Sequence, residues 1–138
     1  MFTVKKIMKP VVSIGPERTV LEAANLMKSS ERGSLLILDG TAFVGIITER
    51  DLVIRVIARN LPHNTQVSEV MSSPLVTINA DVTVKEAARI MSERNIRRLP
   101  ITDGGTVAGI LLASDVLSQL SKKSLAENIR GAFVSEHQ

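Results

Sequence analysis

The sequence predicts an α+β protein made of two copies of one β-α-β-β-α repeat. Aligning residues 12–28 with residues 76–92 at an offset of 64 gives eight identical positions, and the register continues without a gap to Asp51 and Asp115. Each copy also carries one helix-start signal and one Asp-Gly pair between two apolar runs. Segments this similar are expected to fold alike, and packing of repeats against each other creates clefts where small ligands can bind.

The first two elements of each copy are a short strand, over about 11–14 or 75–78, and a helix. Thr19 with Glu22, and Thr83 with Glu86, have the spacing of a capping box, which predicts where each helix begins. Apolar residues then recur at helical spacing, so each helix has one face to bury. These apolar positions are Val20, Ala23, Ala24 and Met27 in the first copy, and Val84, Ala87, Ala88 and Met91 in the second.

A hairpin and a second helix complete each copy. Apolar runs flank Asp39-Gly40 and Asp103-Gly104, which is typical of two antiparallel strands joined by a tight turn. The second helices are expected over about 49–59 and 114–121. Residues 60–66 have the composition of a linker, and the leader 67–71 repeats the pattern of residues 4–8. The predicted division is therefore 1–66, 67–120 and a C-terminal tail, 121–138.

Composition narrows the classes of function. The 138 residues carry 17 basic and 14 acidic side chains, mostly interspersed, and only three aromatic residues, so nucleic-acid binding is not favoured. No apolar run is long enough to cross a membrane and the N-terminus lacks signal-peptide features, so we expect a cytoplasmic protein. Without cysteine, and with His63 and His137 in the predicted linker and tail, no catalytic or metal-ligating group of residues is recognisable. We expect no enzymatic activity.

The repeat resembles a tandem pair of cystathionine-β-synthase-type (CBS) domains, often called a Bateman module. The resemblance lies in the Met that ends each leader, the Thr-Val-x-Glu-Ala-Ala helix starts, the segment 97–103 and the segment 45–51, and it covers about residues 4–120. It implies that the two repeats pack sheet to sheet with pseudo-two-fold symmetry. It also implies two related clefts for adenine nucleotides or S-adenosyl compounds, a regulatory role and a homodimer.

The resemblance implies a first ligand site that combines residues of both copies. Thr48 and Asp51 would hold the ribose and phosphate of a nucleotide, while Arg97 and Arg98 would bind the phosphate. Thr48 and Asp51 also have the spacing of a helix cap, and the two roles are compatible. The predicted apolar and polar walls of this site are Ile47, Val76, Thr77, Ile78, Asn79 and Ala80.

The related second site departs from this pattern. Leu112 replaces Thr48, and Gly33-Ser34 replaces Arg97-Arg98, so we expect this site to be weaker, empty or suited to an uncharged nucleoside. Its predicted residues are Ser114, Asp115, Gly33, Ser34, Val12 and Ile14.

The sequence therefore predicts a regulatory module that senses adenine nucleotides, AMP-like ligands first and ADP, ATP or S-adenosyl compounds as further candidates. No tightly bound cofactor is expected. The module would act as a homodimer on a regulated protein that the sequence does not identify. Two alternatives remain: a ligand-free dimerisation scaffold, and a nucleic-acid-binding adaptor whose affinity would fall steeply with salt.

Overall fold

A computed structural model describes residues 2–122 of the chain, which fold into two compact units. Unit N consists of residues 10–76. Unit C consists of residues 2–9 together with residues 77–122. The tail predicted over 121–138 lies outside the described residues from 123 onward. No helix in the described part of the chain is long and apolar enough to cross a bilayer.

Unit N contains a three-stranded sheet flanked by helices. Strand β1 (Ser13–Ile14) pairs in parallel with β2 (Ser34–Asp39), which pairs antiparallel with β3 (Ala42–Thr48). Helix α1 (Val20–Ser30) connects β1 to β2. Helix α2 follows β3 directly and is α-helical over Glu49–Asp51 and π-helical over Leu52–Ile57.

Unit C repeats this order of elements. Strand β4 (Ile78–Asn79) pairs in parallel with β5 (Arg98–Asp103), and β5 pairs antiparallel with β6 (Thr106–Leu112). Helix α3 (Val84–Arg94) connects β4 to β5, and helix α4 begins at 113 and continues through 122, the last described residue. The α+β fold and the β-α-β-β-α order of both repeats are confirmed.

The compact units do not follow the division of the repeated sequence. Val4, in the 3-10 turn Val4–Lys6, is fully buried in the core of unit C. Val67 and Val70, in and after the 3-10 turn Val67–Glu69, are buried in the core of unit N. Each leader thus packs against the sheet of the repeat that it does not directly precede: the first leader packs in unit C and the second in unit N. The two cores are equivalent, so a short apolar segment fits beside either sheet.

Each leader also adds a backbone bridge beside the last strand of its unit. Lys9 exchanges two hydrogen bonds with Ile110, at 2.8 and 2.9 Å, and Ser72 exchanges two with Ile46, at 2.9 and 3.0 Å. A glycine precedes each of these strand residues. A Cβ on Gly109 would lie 2.9 Å from the Lys9 carbonyl oxygen, and one on Gly45 would lie 2.7 Å from the Ser72 carbonyl oxygen. The close approach of each leader therefore requires glycine at these two positions.

The predicted helix starts are confirmed, with one difference between the copies. Thr19 and Glu22 form the complete capping box of α1. At α3 the Thr83 hydroxyl accepts the Glu86 N–H at 3.1 Å, but the Glu86 carboxylate pairs with Arg89 instead of reaching back. Because the position equivalent to Arg89 in the first repeat is Asn25, Glu22 has no such competing cation within its helix.

Candidate functional site

Unit C contains a surface cleft of about 490 Å³ at the junction of β5, β6 and α4. Its lining combines two guanidinium side chains, one hydroxyl and apolar side chains. The cleft is lined by Arg97, Arg98, Leu112, Ala113, Ser114 and Leu117. A volume of this size is typical of small-ligand sites, and paired guanidiniums favour an anionic group.

The pairing of β5 with β6 brings these residues together. Arg98 is the register partner of Leu112, and the Ala113 N–H donates to the Arg97 carbonyl oxygen at 2.8 Å. Arg97, just before β5, and Arg98, its first residue, therefore lie beside the start of α4. Both come from the second repeat, as does Ser114.

The start of α4 differs from the start of α2 in one chemical respect. Thr48 precedes α2, and its hydroxyl accepts the Asp51 N–H at 3.3 Å. The equivalent residue before α4 is Leu112, a hydrocarbon side chain that cannot accept a hydrogen bond. The first amides of α4 consequently receive no cap from that position, and an anion can take the role of the missing acceptor.

Asp115, in the first turn of α4, has a half-buried carboxylate beside a lysine of the leader. Its Oδ2 lies 3.6 Å from Lys9 Nζ. This oxygen is buried and has no hydrogen-bond partner among the residues that the structure describes.

In unit N, the equivalent residues form a polar cluster with fewer cations. The Asp51 Oδ2 accepts the Thr48 N–H at 2.8 Å and the Thr48 hydroxyl at 3.1 Å, so the capping role considered for this pair is confirmed. Ser34 is the register partner of Thr48, and the Glu49 N–H donates to the Gly33 carbonyl oxygen at 3.0 Å. The N-terminal end of α2 is thus already capped by the protein itself.

The remaining predicted residues fall into buried and accessible groups. Ile47 and Ala80, predicted as walls, are buried in the cores of unit N and unit C respectively, with 0% and 1% of their surface exposed. Ile14 lines a second cleft, of about 380 Å³ in unit N, together with Ser13, Gly15 and Arg18.

The other predicted wall residues are partly or fully accessible. Val12 and Ile78 pack half-buried against the cores of units N and C, whereas Val76, Thr77 and Asn79 are exposed. The Asn79 side-chain oxygen accepts the Asp81 N–H at 2.9 Å.

The structure groups the predicted polar residues by repeat. Arg97 and Arg98 lie with Ser114 in unit C, and Gly33 and Ser34 lie with Thr48 in unit N. The combination expected from the sequence, Thr48 and Asp51 with the two arginines, joins residues of different units and stays a prediction.

Two cations beside the candidate carboxylates were not predicted. Arg55 lies 3.6 Å from Asp51 and could have been found, because it is four residues further along the same helix. Lys9 is far from Asp115 in the sequence. Only the packing of the first leader onto unit C brings them together.

Comparison with known proteins adds the family. The sequence profile described as "CBS domain" matches twice, over residues 4–58 and 67–122. The chain is 36% identical over 126 residues to the CBS domain-containing protein YhcV of Bacillus subtilis, covering 90% of each chain.

Solved structures have the same fold. An uncharacterized conserved protein from Pyrococcus horikoshii is 31% identical, with a TM-score of 0.81 over 86% of this chain and 91% of that one. CBSX2, solved in complex with AMP, has a TM-score of 0.75 over 90% of this chain and 99% of that one. At 23% identity, that likeness concerns the fold alone.

Proposed function

We propose that this chain, which belongs to the CBS domain family, is a regulatory module that binds an adenine nucleotide, with AMP as the first candidate. A tandem CBS pair is a regulatory module, and the ligand is the part proposed here. The observation that carries the proposal is the cleft in unit C, where Arg97 and Arg98 flank the start of α4. AMP is the ligand of CBSX2, a protein of the same fold.

The chemistry of the cleft supports a phosphorylated ligand. The two guanidiniums can each make bidentate contacts with phosphate oxygens, and the first amides of α4 provide additional donors. Leu112, Ala113 and Leu117 offer apolar surface to a base. Asp115, whose side chain is half-buried in the first turn of α4, is the proposed acceptor for the ribose hydroxyls.

In this arrangement the phosphate lies in a cleft within the second repeat, and not in the cleft between the repeats that the resemblance implied. Leu112 was expected to weaken the site that contains Ser114 and Asp115, because it removes a hydroxyl. The same substitution leaves the helix start open to an anion, whereas Asp51 and Thr48 already satisfy the start of α2. Thr48 and Asp51, expected in the first site, lie in unit N with Gly33 and Ser34, which were expected in the second. We propose this group as a separate site for a less charged ligand.

Isothermal titration with AMP and adenosine tests the proposal. Replacing Arg98→Ala should weaken AMP binding about tenfold or more, the loss typical of a charge-assisted contact, and leave adenosine binding unchanged. Arg94→Ala, an exposed arginine at the end of α3, is the matched control and should change neither affinity. Equal losses for the two ligands in Arg98→Ala, or no AMP binding by the unaltered protein, would contradict the proposal.

A double-mutant cycle distinguishes two candidate AMP sites: one that combines Arg98 with Asp51, and one that combines Arg98 with Asp115 within unit C. If Arg98 and Asp51 contact the same AMP molecule, Asp51→Ala and Arg98→Ala should have strongly non-additive effects on AMP affinity. Binding within unit C predicts that Asp51→Ala leaves the first AMP affinity unchanged. It also predicts that Asp115→Asn weakens AMP and adenosine together.

We also propose that the chain forms a homodimer through α2. Val53, Ile54 and Ile57 are 53%, 50% and 69% exposed, and they lie within five residues of one helix. Contiguous exposed apolar residues of this kind mark interaction surfaces, and a second copy of the chain is the proposed occupant. Sedimentation equilibrium should give a dimer for the unaltered protein and a monomer for Ile57→Asp. If the unaltered protein and Ile57→Asp are both dimers, α2 is not the dimer interface. The alternative function, a ligand-free dimerisation scaffold, would then also lose the interface proposed for it.

A further inference from the structure

Arg55 connects the Asp51 carboxylate of unit N to the backbone of the second leader, residues 67–71, which is the leader that docks on unit N. Its Nε lies 3.6 Å from Asp51 Oδ1. Its Nη1 donates to the carbonyl oxygens of Val70 and Met71, at 3.0 and 3.2 Å. One guanidinium thus contacts a carboxylate in the first turn of α2 and two carbonyl groups that are 15 and 16 residues further along the chain.

The Asp51 carboxylate is held so that its two oxygens have different partners. Oδ2 accepts both the N–H and the hydroxyl of Thr48, while Oδ1 faces Arg55. Only 12% of the Asp51 side chain is exposed, so water screens its interaction with Arg55 less than at an open surface. Any ligand hydroxyl that bonds to Oδ1 must therefore share it with Arg55 or displace the guanidinium.

The backbone held by Arg55 belongs to the segment through which the chain leaves unit N. Val70 is buried in the core, and Ser72 exchanges two hydrogen bonds with Ile46 of β3. Unit N ends four residues later, at Val76. A change in the position of Arg55 therefore acts on the docking of the leader just before this exit.

Unit C has an equivalent contact made by a different residue. The position equivalent to Arg55 in the second repeat is Gln119, which has no charge. There the cation beside the carboxylate is Lys9, which itself belongs to the leader and is paired with β6. In both units, a cation links the candidate carboxylate to the docked leader, although the cation comes from a different place in the sequence.

We propose that Arg55 is a positioning residue that couples the contacts of Asp51 to the docking of residues 70–72 on unit N. Ligand binding at Asp51 would weaken the hold of Arg55 on Val70 and Met71, and a firmly docked leader would in turn hold Arg55 on Asp51, because coupling between sites is reciprocal. The inference rests on the proposed function for the identity of the ligand. The coupling between Asp51, Arg55 and the leader is a property of the chain without ligand.

Hydrogen exchange in the absence of ligand tests the coupling directly. The reporters are the amides of Met71 and Ser72, which donate to Val67 and Ile46 at 2.9 Å each. Arg55→Gln and Asp51→Asn should each accelerate their exchange, about tenfold in Arg55→Gln, the loss typical of hydrogen bonds from a charged group. The double variant should exchange no faster than Arg55→Gln alone, since both changes act through the same guanidinium.

Three controls separate positioning from a general loss of stability. Arg55→Lys keeps the charge and should restore part of the protection, whereas Arg59→Gln, at an exposed position just after α2, should have no effect. The Ile96 amide of unit C, which donates to Met91 at 3.0 Å, should exchange at the same rate in every variant. Unchanged exchange at Met71 and Ser72 in Asp51→Asn, or additive effects in the double variant, would overturn the proposal.

Addition of adenosine separates this inference from the proposed function, because adenosine is the less charged ligand that suits the site of unit N. Saturating adenosine should change the exchange of Met71 and Ser72 in the unaltered protein and not in Arg55→Gln. If adenosine binds and the two amides do not respond in either protein, the coupling to ligand is refuted while AMP binding in unit C stands. If neither AMP nor adenosine binds, the proposed function fails, and the exchange rates measured without ligand still decide whether Arg55 couples Asp51 to the leader.

Discussion

Replacing Gly109→Ala should detach the first leader from unit C. A Cβ at this position would lie 2.7 Å from the Met8 sulfur and 2.9 Å from the Lys9 carbonyl oxygen. The sulfur is at the end of a flexible side chain and can move. The carbonyl oxygen belongs to the backbone that pairs with Ile110, so it can move only if the pairing is disturbed.

The expected loss of stability follows from these contacts. Overpacking of this kind costs about 1–3 kcal/mol, and the two hydrogen bonds between Lys9 and Ile110 contribute about 1 kcal/mol each. Because the strain is relieved as the pairing breaks, the two costs overlap, and we expect a net loss of about 2–4 kcal/mol. For a chain of this length that corresponds to a decrease in Tm of roughly 8–16 °C.

Urea unfolding followed by far-ultraviolet circular dichroism measures this loss, since the chain has no Trp or Tyr to serve as a fluorescent reporter. Gly40→Ala is the matched control. It makes the same glycine-to-alanine change at a residue whose φ is +62° and where an added Cβ would have no atom within 4 Å. The expected cost is therefore only the backbone strain of a positive φ, about 1 kcal/mol. A Gly109→Ala variant that loses less free energy of unfolding than Gly40→Ala would refute the close packing of the first leader against β6.

Two further predictions concern the start of α3. Thr83→Ala removes the hydroxyl that accepts the Glu86 N–H and should lower the free energy of unfolding by about 1 kcal/mol. Thr83→Ser keeps a hydroxyl and should retain most of that stability. Equal losses for the two variants in urea unfolding would contradict the capping role. The hydrogen bonds from Arg89 lower the pKa of Glu86 below its usual 4.5, so this interaction stabilises the fold above that pH and is lost as the pH falls through the lower folded pKa. Melting curves between pH 6 and pH 3 should therefore show a weaker dependence on pH in Arg89→Gln, and an unchanged dependence would count against the ion pair.

Local sequence signals were sufficient for the elements because they act over a few residues. The hydroxyl at Thr19 or Thr83 acts within one helical turn. Gly40 and Gly104 adopt the positive φ that a tight hairpin turn requires. The turn between Asp103 and Thr106 places position 98 near the end of β6, so the proximity of Arg98 to the start of α4 was also within reach of the sequence. The bulge that shifts its partner from 111 to 112 was not.

The packing of the first leader in unit C and of the second leader in unit N could not be predicted in the same way. The two leaders have the same apolar pattern, so Val4 and Val67 satisfy the core of either unit equally well on hydrophobicity alone. The difference between the two arrangements depends on the path of the chain between repeats, which no local signal encodes. Lys9 beside Asp115 follows from that path and was missed for the same reason.

Under the proposed function, the differences between the repeats determine which ligand each site prefers, whereas many of the identities maintain the fold. Val20 with Val84 and Met27 with Met91 are identical pairs that lie in equivalent cores. The polar positions diverge together: where the first repeat has a capping Thr48, small residues before its hairpin and Arg55, the second has Leu112, Arg97-Arg98 and Gln119. Two arginines beside a helix start that lacks a hydroxyl at position 112 are the arrangement that an anionic ligand at one of two related sites requires.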